Sequence, residues 1–322
     1  MQRWLHTKLM VVPALVILTA IPAMAQDYPT RPVTLMVGFE PGGSSDILAR
    51  VLAPHLTEFL GQPIVIENRP GANGAVAAAL VANASPDGHT LGIGGSSLLT
   101  NALLNPNIGY SLDDLADVAM IGSYSSVMIV PKDLPVTSVD EFQQYALDHA
   151  GEMNCGSGGI GSSPHLSCEV VRTALGVEIT HITYGGMAPA LNDLMANRLQ
   201  VVFNPIAQTK PFIDEGEVRA LAITGAERSD ALPDVPTLQE LGYDVELSVY
   251  TGVYAPNDTP IDVLERINEA IRYATAQPNV IDVLEAGGTI PSDMNLEEYV
   301  AYNDNQQQFW ETFMEEHSIS DE

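Results

Sequence analysis

The 322-residue chain carries 41 acidic and 13 basic side chains, a formal net charge of -28, with 46% hydrophobic residues and 22 prolines spread along its length. That balance supports a substantial core, enough for two lobes, and excludes disordered and collagen-like classes. Nucleic acid and anionic lipid need basic patches, so neither is an expected partner of so acidic a surface.

Residues 1–25 contain Arg3 and Lys8, an apolar run from Leu9 to Ile21 and the small-x-small triplet Ala23-Met24-Ala25. This is the pattern of a secretory signal peptide cleaved before Gln26, and the run is shorter than the roughly 20 residues a membrane span needs. No cysteine sits at the cleavage point, so no lipid anchor is expected.

Val33–Phe39 is a short run of β-formers ending at glycine and proline, and reads as a buried strand. Ile47, Leu48, Val51, Leu52, Leu56, Phe59 and Leu60 then recur near a 3.6 period, predicting a helix capped by Ser44 or Ser45, bent at Pro54 and stopped at Gly61. A strand at 63–67, a turn at 68–74, an alanine-rich helix to about Ala82 and a strand at 90–94 follow. A second unit begins near 123–126, with strands at 127–130, 152–156, 177–183, 199–204 and 219–224, and helices at 139–150, 164–175 and 189–196. An extended segment at 245–254 returns to the first lobe, and helices at 261–276, 280–286 and 296–316 complete the chain. Strands alternating with helices predict an α/β fold with mainly parallel sheets flanked by helices.

Two glycine-rich turns lead from strand to helix, Phe39-Glu40-Pro41-Gly42-Gly43-Ser44-Ser45-Asp46 and the stretch from Gly156 to His165. Unpaired N–H groups and the positive end of the macrodipole converge at such helix starts, which makes them anion sites. Gly156, Gly158 and Gly161 also fit the dinucleotide spacing G-x-G-x-x-G, with Glu178 near the place of a ribose contact. A hydrolase finds little support, since the chain has no G-x-S-x-G elbow and Ser162, Ser163 and His165 are too close in sequence to indicate a triad. His165, Cys168 and Glu169 share a helix face but lack a fourth ligand, so no metal is expected. Cys155 and Cys168 either form a disulfide under the second turn or stay as two buried thiols.

The succession Tyr28-Pro29-x-Arg31-Pro32, Phe39-x-Pro41-Gly42-Gly43-x-x-Asp46, Glu67-Asn68-Arg69-Pro70-Gly71-Ala72, Ser85-Pro86-Asp87-Gly88, Ser157-Gly158-x-x-Gly161-Ser162-Ser163-x-His165, Tyr184-x-Gly186-x-Ala188-Pro189 and Leu232-Pro233-Asp234-Val235-Pro236-Thr237 resembles the substrate-binding proteins of tripartite tricarboxylate transporters, the Bug family. The resemblance covers nearly all of the chain after the signal. It implies a periplasmic, two-lobed binding protein of the type II class, with lobe 1 from residues 26–124 and 250–322, lobe 2 from residues 125–249, and a ligand cleft between them. It further implies no enzyme activity and no cofactor, a small organic acid as ligand (a di- or tricarboxylate, an aromatic acid or an acidic amino acid), a two-subunit membrane permease as partner, and a monomer. An alternative role on the same fold is a ligand-presenting co-receptor for a sensor kinase.

Carried onto this sequence, the resemblance implies a first loop of Phe39, Glu40, Pro41, Gly42, Gly43, Ser44 and Asp46 and a facing loop of Ser157, Gly161, Ser162, Ser163 and His165. Tyr184, Gly186, Ala188, Phe203 and Asn204 are implied on the far side, and Tyr250 on the returning segment. The chain departs from the family pattern at Glu40, Gly185 and Asn204. Glu40, if it faces inward, would disfavour a second ligand carboxylate nearby. The same family match accounts for the glycines of the dinucleotide spacing, and an exported protein meets little NAD.

Overall fold

A computed structural model describes residues 28–105, 107–159 and 161–317, so the signal segment, residues 1–25, lies outside the described residues. β1 (Val33–Val37) alternates buried and half-buried positions and leads through the first glycine loop into α1 (Ser44–Leu60). Gly43, in extended backbone, precedes the first turn, so Ser44 and Ser45 lie within the helix and neither caps it. The buried stripe of α1 is Leu48, Leu52, Leu56 and Leu60, whereas Ile47 faces solvent. Each such leucine contributes about 1.5–3 kcal/mol when fully buried.

β2 (Ile64–Asn68), α2 (Ala75–Ala82), β3 (Thr90–Gly95) and α3 (Ser96–Leu104) follow. Next comes β4 (Leu115–Pro131), a strand of 17 residues where only 127–130 were expected. Beyond it lie α4 (Val139–Asp148), β5 (Asn154–Ser157), α5 (Ser163–Leu175), β6 (Thr180–Thr183), α6 (Met187–Met195), β7 (Val201–Pro205), α7 (Ile206–Asp214) and β8 (Val218–Ile223). β9 (Ser248–Pro256), α8 (Ile261–Thr275), α9 (Pro278–Ala286), β10 (Ile290–Pro291) and α10 (Leu296–His317) finish the chain. No helix among the described residues is long and apolar enough to cross a membrane.

The strands run in the order β2-β1-β3-β9-β4-β7-β5-β6, with β8 and β10 also paired to β4. The flanks β2-β1-β3 and β7-β5-β6 are parallel, as the alternation of strands and helices predicts. The centre is antiparallel: β9 pairs with β3 and β4, and β4 with β7 and β8. β4 accompanies β9 from Leu115 to Ser125 and then, from Ser126 onward, β7. β4 therefore pairs with strands of both halves of this α/β fold.

Burial along β4 explains its length. Val118, Ala119, Met120 and Ile121 are buried in the first half, Val127 to Val130 in the second, and the half-buried Ser123, Tyr124 and Ser125 lie between. In the second half the two-residue period sends Met128 and Val130 to a core with Phe142, Met153 and Phe203. Val127 and Ile129 go to the opposite face with Leu194, Leu199 and Ile223. The first half joins β1, β3, α1 and α8 in a separate core around Leu35, Leu52, Ile93 and Ile267.

Where β3 ends, Gly95 lies against the β9 backbone, and a Cβ there would fall 2.0 Å from the Tyr250 carbonyl oxygen. Gly95→Ala is therefore expected to cost about 1–3 kcal/mol in denaturant unfolding, because backbone has to move. Gly185→Ala, at an exposed position whose Cβ meets nothing within 4 Å, is expected to change stability by no more than about 0.5 kcal/mol.

Candidate ligand-binding site

Three helices begin at one cavity of about 380 Å³, and each start is spelled Gly-Ser-Ser: Gly43-Ser44-Ser45 for α1, Gly95-Ser96-Ser97 for α3 and Gly161-Ser162-Ser163 for α5. The wall is completed by Phe39, Asn73, Tyr124, the Leu247–Thr251 stretch of and before β9, Leu166 and Trp310. First-turn N–H groups have no acceptor within their own helix, and each macrodipole places roughly half a positive charge at its N-terminus. Among the described residues, not one lysine, arginine or histidine is in the wall. The site can therefore bind an anion through oriented amides and hydroxyls, without an ion pair.

Hydrogen bonds fix the three starts relative to one another. The Thr100 hydroxyl of α3 reaches both the Ser96 carbonyl at 3.0 Å and, across the cavity, the Gly161 carbonyl at 3.3 Å. The Ser96 hydroxyl accepts from the Tyr250 N–H, and Asn101 donates to the Asn73 carbonyl. Gly161 has a left-handed φ of 73°, and a Cβ there would approach Leu104 to 3.1 Å and Asn101 to 3.3 Å, so the turn and α3 meet closely only with glycine.

Of the residues implied from sequence, Phe39, Gly43, Ser44, Gly161, Ser162, Ser163 and Tyr250 line the cavity. Glu40, Pro41 and Gly42 are on the exposed outside of the first loop. Asp46 is buried behind that loop, where it accepts hydrogen bonds from the Gly42 N–H, Arg50 and Asn68. Arg50, followed by the Gly42 and Asn68 donors, holds the Asp46 carboxyl well below the usual carboxylate range. Asp46 thus shapes the loop, and Arg50 balances its charge.

His165 and Ser157 brace the second turn from beneath. His165 Nδ1 accepts from the Gly161 N–H at 3.1 Å, and its ring lies 4.1 Å from that of His181. His181 Nε2 is 2.6 Å from the Ser157 hydroxyl, which also donates to the Gly159 carbonyl, as does the Ser162 hydroxyl. Ser157 is fully buried, so this hydroxyl–imidazole contact supports the loop and exposes no nucleophile. Of the two alternatives for Cys155 and Cys168, the structure shows the second: both are buried free thiols, and burial raises the Cys155 pKa. Glu169 is engaged by Arg172, so His165, Cys168 and Glu169 do not converge on one point.

The far-side residues have other surroundings. Phe203 is 1% exposed in the apolar core, and the Asn204 side-chain amide donates to Thr209. Tyr184 donates to Asp193, Ala188 is exposed, and neither these nor Gly186 lines the cavity. The Tyr250 hydroxyl is engaged by Asn303, which in turn donates to Asp117 at 2.7 Å. The largest omission of the sequence reading is the start of α3, although Gly94-Gly95-Ser96-Ser97 repeats the residues Gly-Gly-Ser-Ser of 42–45.

The histidine brace gives a pH dependence. Burial, then the neighbouring His165, pushes the His181 pKa down to about 4, and burial also lowers that of His165. Below the ordinary histidine value of 6.5 the unfolded chain takes up protons that the folded chain refuses. The histidines' contribution to stability is complete above about pH 6.5 and is lost as pH falls toward about 4. His181→Asn is expected to flatten the fall in Tm over that window, as scanning calorimetry at stepped pH will show.

Residues 48–319 match the family described as Tripartite tricarboxylate transporter family receptor. The chain is 35% identical over 292 residues to Protein BugT of Bordetella pertussis, covering 88% of this chain and 90% of that one. Among solved structures it is similar to an R. palustris protein with adipate (TM-score 0.77, 35% identity, 91% of this chain and 99% of that one). It is also similar to MatC from Rhodopseudomonas palustris with bound malate (TM-score 0.73, 32% identity, 89% and 99%). The periplasmic binding protein BugD superposes with a TM-score of 0.74 at 30% identity, over 91% and 99%. Similar solved structures of this kind are binding proteins, and the chain belongs to the tripartite tricarboxylate transporter receptor family.

Proposed function

We propose that the chain captures a small organic carboxylate where α1, α3 and α5 begin and hands it to a two-subunit membrane permease. The carrying observation is the convergence of three helix N-termini on a cavity whose wall holds no cationic side chain. Each N-terminus contributes about 0.3–2 kcal/mol toward an anion, and hydroxyls and bridging waters add directional contacts. A carrier benefits from that arrangement, because a ligand held by dipoles and hydroxyls is released without separating a buried ion pair. The adipate and malate bound in similar proteins support a carboxylate.

In this reading, lobe 1 is residues 26–124 and 250–322 and lobe 2 is residues 125–249, with β4 and β9 crossing between them; the change of β4 partner at Ser125 and Ser126 supports that division. Ser157, His165 and Asp46 act by holding the loops that touch ligand. The signal sequence at 1–25 supports export to the periplasm, where the protein works as a monomer.

Thermal shift against di- and monocarboxylates, matched amides and neutral sugars tests the reading. A carboxylate at 100 times its Kd is expected to stabilise the fold by about 2.7 kcal/mol, while its amide gives little or no shift. Stabilisation by a neutral sugar or peptide and by no carboxylate would contradict the proposal. Thr100→Val, which removes the hydroxyl shared with Gly161, is expected to weaken carboxylate binding about 2- to 10-fold by calorimetry, in line with loss of one neutral hydrogen bond.

A further inference from the structure

The cavity wall is of two kinds. Glycines, serine hydroxyls and helix starts are one; Tyr124, Leu166, Leu247, Val249 and Trp310 make up most of the apolar remainder, while Phe39 stands on the first glycine loop and packs toward the other core. Leu166, Leu247 and Trp310 belong to the same buried apolar cluster, so this side is continuous with the hydrophobic core. Tyr124 and Val249 stand opposite each other on β4 and β9 where those strands pass under the cavity.

From this division we infer that the site selects monocarboxylates with an aromatic or branched aliphatic body over dicarboxylates. The inference rests on the carboxylate reading above and narrows it. One carboxylate satisfies the helix starts. A second one, at the far end of a ligand such as adipate, would leave water for a wall of rings and aliphatic side chains. Among the described residues no cation lines the cavity: Arg50, behind the first loop, is engaged by Asp46, and Arg172, on α5, by Glu169. Tyr124 and Ser248 offer neutral donors only. An aromatic or branched body instead gains contact with the same wall and places no further charge in it. Glu40, exposed on the outside of its loop, plays no part in this discrimination. The volume of about 380 Å³ lies within the range usual for small-molecule sites, about 300–1,000 Å³.

Titration calorimetry of the signal-free protein with phenylacetate, 4-methylpentanoate, adipate, malate and the neutral phenylacetamide distinguishes the outcomes. At pH 7.5 phenylacetate or 4-methylpentanoate is expected to bind at least tenfold more tightly than adipate and malate. Val249→Lys, which puts a cation on the apolar side at a half-buried strand position, is expected to shift the ratio of phenylacetate to adipate affinity at least tenfold toward adipate. If adipate or malate binds the wild-type protein as tightly as both monoacids or more so, the monoacid inference is overturned and the carboxylate reading stands. If phenylacetamide binds as tightly as phenylacetate, or none of the four acids binds, the carboxylate reading fails and the inference falls with it.

Discussion

Everything at the site depends on how an anion can be held where no positive side chain is available. The chain is strongly acidic, with a net charge of -28, and Arg50 and Arg172, on helices that begin at the cavity, are committed to Asp46 and Glu169. What remains is the backbone. Three helices start at one cavity, each after a glycine followed by two serines, and their unpaired amides and macrodipoles supply the positive potential. The same choice requires small residues at the turns, because a Cβ at Gly95 would run into the β9 backbone and one at Gly161 would crowd the Leu104 and Asn101 side chains in a left-handed conformation.

The sheet supplies the geometry. α1 follows β1 and α3 follows β3 in one parallel flank, while α5 follows β5 in the other. β4 spans both, and β9 runs beside it up to Ser248 under the cavity. Among the described residues the loops on the two sides are joined by a neutral bond, from the Thr100 hydroxyl to the Gly161 carbonyl. Buried polar groups elsewhere serve the loops rather than the ligand: Asp46 ties down the first, and the His165, His181 and Ser157 brace ties down the second. Their strength keeps the loops in shape; the weakness of the contacts across the cavity suits opening.

Much of this was legible in the sequence. β1, α1, α2 and α5 lie close to where alternation, the 3.6 period and the turn residues place them, and both glycine loops meet the cavity. The misses have local causes. Asp117, Gly122 and Ser123 interrupt the β-pattern of β4, and its extended course is fixed by nonlocal pairing with β9. Pro211 disguises α7, and α3 follows so closely on β3 that its Gly-Gly-Ser-Ser start reads as loop. Asp46, His165 and Phe203 illustrate a further limit. Residue type and order locate a loop, but which side chains face the ligand and which face the core is decided by packing: Asp46 turns to Arg50, His165 to the Gly161 amide and Phe203 to the interior.

An anion held by backbone amides is seen most directly by a measurement that reports on those amides. Amide ¹H–¹⁵N shifts and hydrogen exchange, followed with and without saturating carboxylate, should change together at residues 44–46, 96–98, 163 and 165, in the first turns of α1, α3 and α5, Pro164 having no N–H. Changes confined to a site elsewhere, with those three first turns unaffected at saturation, would contradict an anion held by the helix starts.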